Sequence, residues 1–346
     1  MTDFLDYLPI IFGLSIGLPF GLLVASSRFC LLGAISDILL FRYASRALFW
    51  AIAAVSALAG VSLLRYLNIL NLSDTHYLMT PVTPLPAIIG GSLFGIGMVL
   101  ATGCLVKNIV RMASGCLKSL IVVLLTALSA HMVFSGPLAP LRSWLYRTLP
   151  VFSNSQIADT RYLVILAFLL LGILFWAGLK KTSEPATFWI KAVILGSLIW
   201  IAFSATTWVI SQQLHTDSLS VLLTDTALVP ESLTFVKPVV QVLDWILWAK
   251  PALDFGLGIL IGTISGACLY YGRKRQIALS GFSNACDLRN HLIGAILMGI
   301  GAAIAGGCTV GQGLSGFSTG SIHALITLVF ILLSASLLLV YIDKKS

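Results

Sequence analysis

The sequence predicts an all-α polytopic membrane protein, and three observations lead there. Of the 346 residues, 58% are hydrophobic and only 10% charged, against about 25% charged in a soluble domain. The apolar residues fall in runs of about 20, the length a bilayer core requires. A glycine-rich stretch ending in Gly-Cys occurs twice, at residues 90–106 and 294–310.

About nine transmembrane helices follow, near 8–27, 47–67, 86–104, 117–136, 162–179, 188–211, 253–272, 291–307 and 321–342. The first is a retained helix. It is preceded by Asp3 and Asp6 and by no basic residue, whereas a cleaved signal needs a positive leading region. Pro19 is tolerated inside it because neighbouring helices can satisfy the freed carbonyl. With the N-terminus outside and the C-terminus in the cytoplasm, 15 of the 21 basic residues fall on the inner side, Lys107, Arg111 and Lys118 among them. That is the bias expected of an inner-membrane protein, and an odd number of spans agrees with it. The long outer segments 137–161 and 212–250 read as ordered loops. Within the second, 235–248 reads as an interfacial helix carrying Trp245 and Trp248.

At a constant offset of 204, nine of 17 positions are identical between 90–106 and 294–310, including Gly90/Gly294, Gly97/Gly301, Gly103/Gly307 and Cys104/Cys308. The two copies run in opposite directions under this topology. One transmembrane domain, 1–346, is therefore expected to hold a first repeat at 8–136, a linker helix at 162–179 and an inverted second repeat at 188–342. Such repeats place a substrate site near the midplane, where helices break. Gly95, Gly97, Gly299 and Gly301 fit close helix packing. The density of Gly306, Gly307, Gly311 and Gly313 instead predicts a re-entrant loop, with a second one at about 103–116. Free N–H groups at such breaks bind anions.

The net charge of +8 does not mark a nucleic-acid binder, since no basic cluster is interleaved with aromatics. None of the six cysteines forms a Cys-x-x-Cys pair or a zinc-type spacing, so neither a metal site nor a cofactor is expected. No ATP-binding loop is present.

At Ala305-Gly306-Gly307-Cys308-Thr309-Val310-Gly311-Gln312-Gly313 the sequence resembles the YeeE/YedE family of sulfur-compound permeases. Gly21, Ser27-Arg28-Phe29-Cys30-Leu31, Asp37 and the stretch from Gly294 to Gly301 match that family as well. The resemblance implies thiosulfate uptake, with Cys30, Cys104 and Cys308 passing the anion along by thiol–sulfur contacts. It departs from the family at Thr102-Gly103-Cys104-Leu105-Val106-Lys107-Asn108, where small residues usually follow Gly-Gly-Cys. It departs again at Ala25-Ser26-Ser27, where a Gln-Arg-Gly element is usual. The implied substrate is thus thiosulfate or a related sulfur anion.

Thiosulfate has three hard oxygens and one soft sulfur. A neutral thiol offers it a polarizable sulfur and a weak S–H donor, whereas a thiolate would repel it. The expected substrate contacts are Cys30, Cys104, Cys308, Gly103, Gly306, Gly307, Thr309, Gly311, Gln312 and Lys107. Lys107 either holds the anion at the inner mouth or snorkels to the surface. Arg28 either steers substrate or anchors the helix end. Cys116, Cys268 and Cys286 read as structural, with Cys268 buried in the seventh span, and His131 and His323 as helix residues with local partners. Lipid and a small sulfur anion are the expected partners, with room for a small cytoplasmic sulfur-acceptor protein. The competing readings are a membrane thiol–disulfide or sulfur-transfer enzyme and a soft-metal binder. The first lacks a closely spaced cysteine pair, and the second lacks flanking Met or His.

Overall fold

A computed structural model describes residues 2–71, 75–79, 83–147, 160–181, 184–216, 229–248, 254–282 and 284–345. Among them no strand forms, and the helices are α1 (Thr2–Ser27), α2 (Leu31–Phe41), α3 (Ser45–Tyr66), α4 (His76–Met79), α5 (Pro84–Leu100), α6 (Leu105–Met112), α7 (Leu117–Phe134), α8 (Ala139–Arg147), α9 (Thr160–Lys181), α10 (Ala186–Thr216), α11 (Val236–Trp248), α12 (Phe255–Arg273), α13 (Ala285–Ala305) and α14 (Ile322–Lys345). A single π-helical turn occupies Gly311–Gly316.

Eight helical stretches of the described residues are long and apolar enough to cross a bilayer: the α1–α2 run, α3, the α5–α6 run, α7, α10, α12, α13 and α14. Helix α9, of 22 residues, occupies the place of the expected fifth span and carries the shorter apolar stretch Ala167–Gly178. The exterior is apolar, with Ile11, Leu14, Leu124, Leu128, Ile293, Leu333 and Leu337 exposed, while Ser56, Ser62, Thr126, Ser129, Thr263 and Thr327 are buried. This inside-out distribution suits lipid, because a soluble protein rarely leaves so continuous an apolar face uncovered. The chain is a multi-pass membrane protein.

Local sequence explains where the central helices begin. Pro84 and Pro86 open α5, where a missing N–H costs nothing. The Asp254 carboxylate accepts from Leu257 N at 2.9 Å to cap α12, and Asn284 Oδ1 accepts from Asp287 N at 2.8 Å to cap α13.

Glycine then decides how the helices meet. Helices α5 and α13 cross antiparallel through four glycines. A Cβ on Gly90 would stand 2.5 Å from Ala305 N and 2.7 Å from Gly301 O, and one on Gly97 would stand 2.5 Å from Met298 N. The partner helix answers in kind: Gly294 against Ala101 N at 2.6 Å, and Gly301 against Phe94 N at 2.5 Å. Backbones this close leave no room for any side chain. Around this crossing α5 packs on α14 and α13 on α7, while α1 packs on α12 and α3 on α10.

Three expectations need correcting. The stretch 103–116 is not a coil throughout, since α6 fills its middle; Leu105, Val106, Ile109 and Val110 form a buried apolar face that makes a short helix the better solution. The outer segment 137–161 contains α8 in place of a simple loop, and 148–159 lies outside the described residues. Cys268 is exposed, because α12 turns its glycine face, and not Cys268, toward α1.

Candidate functional site

Cys30, Cys104 and Cys308 are built by one local device used three times. Two residues before each cysteine the backbone turns left-handed, at Arg28 (φ 53), Thr102 (φ 55) and Gly306 (φ 73). The next amide then closes back five residues: Phe29 N to Val24 O at 3.3 Å, Gly103 N to Met98 O at 3.0 Å and Gly307 N to Ala302 O at 2.8 Å. This is a Schellman-type helix ending. The cysteine carbonyl starts the following turn, accepting from Ala34 N at 3.0 Å, Asn108 N at 3.1 Å and Gln312 N at 2.8 Å respectively. Each helix thus stops and restarts with a cysteine at the restart. Cys116 is out of this register: Gly115 just before it is left-handed (φ 90), and the Cys116 amide itself closes on Arg111 O at 3.3 Å.

The breaks at 102–104 and 306–308 share a further feature. Asn108 Nδ2 donates to Gly103 O at 3.1 Å and Cys104 O at 3.2 Å, and Gln312, 204 positions later, donates to Ala305 O at 3.0 Å. Carbonyls freed by each interruption are satisfied by an amide side chain, which buried backbone requires.

The three cysteines are buried. Cys30 and Cys104 lie side by side, and Thr309 lies next to Cys104. Next to Thr309, the Cys308 sulfur accepts from Gly311 N at 3.5 Å. Tyr77, hydrogen-bonded to Ser315, lies close enough to Cys308 for their charges to interact; burial pushes its phenol well above the ordinary range, so it stays a neutral donor.

Two pockets adjoin this group of residues, one lined by Cys30 and the other by Tyr77. On the Tyr77 side a cavity of about 40 Å³ is lined by His76, Tyr77, Arg142, Tyr146, Gly306, Gln312, Ser321 and His323. Arg142 rests on the rings of Phe134 and Tyr146, and Tyr146 donates to Ile304 O at 3.0 Å. Burial raises the Tyr146 phenol, against the opposing pull of Arg142. On the Cys30 side a cavity of about 200 Å³ is bounded by Val24, Phe29, Cys30 and Tyr271 and by the four cations Arg28, Arg46, Lys107 and Arg111. No carboxylate lines either cavity among the described residues.

A family model described as sulphur transport matches residues 26–337. The chain belongs to the sulphur transport family. Two curated relatives align over nearly the whole chain. The thiosulfate transporter TsuA of Escherichia coli (strain K12) is 27% identical over 344 residues, covering 94% of this chain and 92% of that protein. The thiosulfate transporter TsuA of Spirochaeta thermophila is 27% identical over 340 residues, covering 93% and 95%.

Within this sulphur transport chain, the structure gathers Cys30, Cys104, Thr309 and Cys308 at the centre. Gly103, Gly306 and Gly307 shape the breaks, and Gly311 supplies an N–H to sulfur. Gln312 and Lys107 are not brought together, since each lines a different cavity. Sequence reasoning missed Tyr77, Arg142 and Tyr146 at one mouth and Arg46 and Arg111 at the other. Arg142 and Tyr146 are four residues apart on α8, a spacing that puts both on one face. That signal was present, but in a stretch taken for a loop.

Proposed function

We propose that this chain is a permease of the inner membrane that takes up thiosulfate or a related sulfur anion, handing it along neutral thiols and backbone N–H groups. One observation supports this reading: Cys30 lines the basic cavity and neighbours Cys104, Cys104 neighbours Thr309, and Cys308 next in the chain lies near Tyr77 of the Arg142 pocket. The names of the two relatives give the substrate. With the N-terminus outside, the Arg142 pocket receives the anion and the Cys30 cavity releases it to the cytoplasm, where a small sulfur-acceptor protein takes it on.

In this mechanism Arg142 and the phenols draw in the dianion, and the amides of the Cys308–Thr309 turn take its oxygens. Each thiol then contacts the terminal sulfur in turn. All contacts are weak, since conduction needs release as much as entry. The halves 8–136 and 188–342 act as inverted repeats about this group of residues, joined by the helix at 160–181. The antiparallel α5–α13 crossing, its reciprocal glycine contacts and the matched helix breaks support that arrangement.

Uptake of labelled thiosulfate by cells lacking their own route tests the reading. Wild type is expected to raise uptake, Cys308→Ala to lower it by roughly tenfold or more (about 1.4 kcal/mol of barrier), and Cys308→Ser to restore only a minor part. Full uptake with Ser would remove any special role for the thiol, and no uptake by wild type would remove the substrate.

A second reading, thiol–disulfide exchange, draws on the Cys30–Cys104 contact, which sequence spacing alone did not reveal. Differential alkylation of protein purified in air separates the two, because exchange chemistry requires that pair to appear as a disulfide.

A further inference from the structure

We infer that the basic cavity beside Cys30 is a second anion site, which holds a tetrahedral oxyanion such as sulfate by charge and does not require sulfur chemistry. The inference rests on the permease reading for its place in transport, but the site itself stands on three structural observations.

The first is unbalanced charge. Arg28, Arg46, Lys107 and Arg111 converge on one cavity, yet only Arg46 has a carboxylate, Asp37 at 3.2 Å. Among the described residues Arg28, Lys107 and Arg111 make no ion pair. Arg111 has only the Thr102 hydroxyl at 3.4 Å. Arg28 is exposed and Arg46, Lys107 and Arg111 are half-buried, so the like charges repel through partly screening solvent, and an anion among them relieves this.

The second is that the backbone makes way for these cations. A Cβ on Gly33 would sit 2.8 Å from Arg46 Nη1, and one on Gly103 would sit 2.8 Å from Lys107 Cδ. Neither glycine has a left-handed backbone, so what each provides is room for a basic side chain. Arg28 itself occupies a left-handed position that costs a side-chain-bearing residue strain.

The third is size and selectivity. About 200 Å³ is the liquid share of roughly six or seven waters, ample for one tetrahedral dianion with part of its hydration. The cavity presents guanidinium, ammonium and phenol donors to oxygens, and Cys30 is its single sulfur among the lining residues. Sulfate therefore fits it as well as thiosulfate does, and sulfate in the cytoplasm holds back the next anion arriving through Cys30.

The test uses the purified full chain at constant ionic strength, with chloride replaced by sulfate. Wild type is expected to show a saturable rise in melting temperature, and sulfate to slow alkylation of Cys30 measured on its peptide. Lys107→Gln with Arg111→Gln should weaken the apparent sulfate affinity by at least about tenfold, the scale of losing charge-assisted contacts. Arg142→Gln, at the other cavity, should leave it intact. An unchanged sulfate response in the double variant, or none beyond chloride in wild type, overturns the site. If the double variant does not fold, protection of Cys30 in wild type decides alone, and its absence sinks the inference. Sulfate binding without thiosulfate uptake would refute the permease while leaving the site; uptake without sulfate binding would do the reverse.

Discussion

The break at Thr102-Gly103-Cys104 and the break at Gly306-Gly307-Cys308 have the same backbone and different supports. Both close with an amide bonded five residues back. At the first, however, the left-handed residue is a β-branched threonine. Its hydroxyl lies 3.3 Å from His291 Nε2 and 3.4 Å from Arg111, and His291 in turn lies 3.1 Å from Asp287, which pairs with Lys118 at 2.6 Å. At the second, the left-handed residue is glycine, and Gln312 and His323 both reach the carbonyl of Ala305, at 3.0 and 3.1 Å. The shape of a break is therefore set by backbone closure and by the glycine crossing beside it. Side chains then decide which ions face it: an Asp–His–Thr–Arg chain at one end, a compact amide–imidazole cradle at the other.

The severest way to break this comparison is at the crossing itself. Gly97→Leu and Gly301→Leu each push a side chain into backbone 2.5 Å away. Overpacking of flexible neighbours costs about 1–3 kcal/mol; here the obstacle is main chain, so the expected outcome is loss of the monodisperse peak in size-exclusion chromatography for both. If one substitution is tolerated and the other is not, the two sides of the crossing are not equivalent.

A smaller effect separates the breaks. Gly306→Val places a β-branched residue at φ 73, with its Cβ 3.4 Å from Gln312 Nε2, and should destabilise by about 1–2 kcal/mol from the left-handed backbone alone. Thr102→Val keeps shape and strain but removes the hydroxyl, so the loss should be nearer 1 kcal/mol, the worth of its hydrogen bonds. Melting temperatures of the two variants against wild type measure both. A Thr102→Val loss as large as that of Gly306→Val would mean that the hydroxyl, and not the closure, holds the first break open.

How much of this was legible depends on which interactions leave a local trace. The long apolar runs, the antiparallel glycine stretches and the Gly-Cys pairs at 104 and 308 did so, because helix period and close packing are written in neighbouring residues. The break before Cys30 did not. Its left-handed residue is Arg28, which carries no glycine signature, and the ending shows only in the Phe29 to Val24 bond. Tyr77 and Arg46 were invisible for another reason: each meets its cavity through contacts far along the chain. The glycines at 306 and 307 mark a break in the helix, whereas Gly311 and Gly313 lie in a wide helical turn buried on all sides. Glycine density pointed to the interruption, and not to the turn that follows it.

The smallest expected effect concerns the cysteines that do not sit at a helix restart within the central group. Cys268 is exposed, 3.7 Å from Ala113 O, and Cys286 is exposed beside Arg289 and Asn290 at 3.9 Å. Neither lines a described cavity or touches Cys30, Cys104 or Cys308. A thiol serves a sulfur anion only where a path brings the anion within contact, and neither exposed cysteine lines either cavity. Cys268→Ser and Cys286→Ser should therefore change labelled thiosulfate uptake less than about twofold, and surface substitutions of this kind shift stability by about 0.5 kcal/mol at most. A large loss in either variant would show that position at a helix restart is not what distinguishes the working thiols, and the comparison between the breaks would lose its functional meaning.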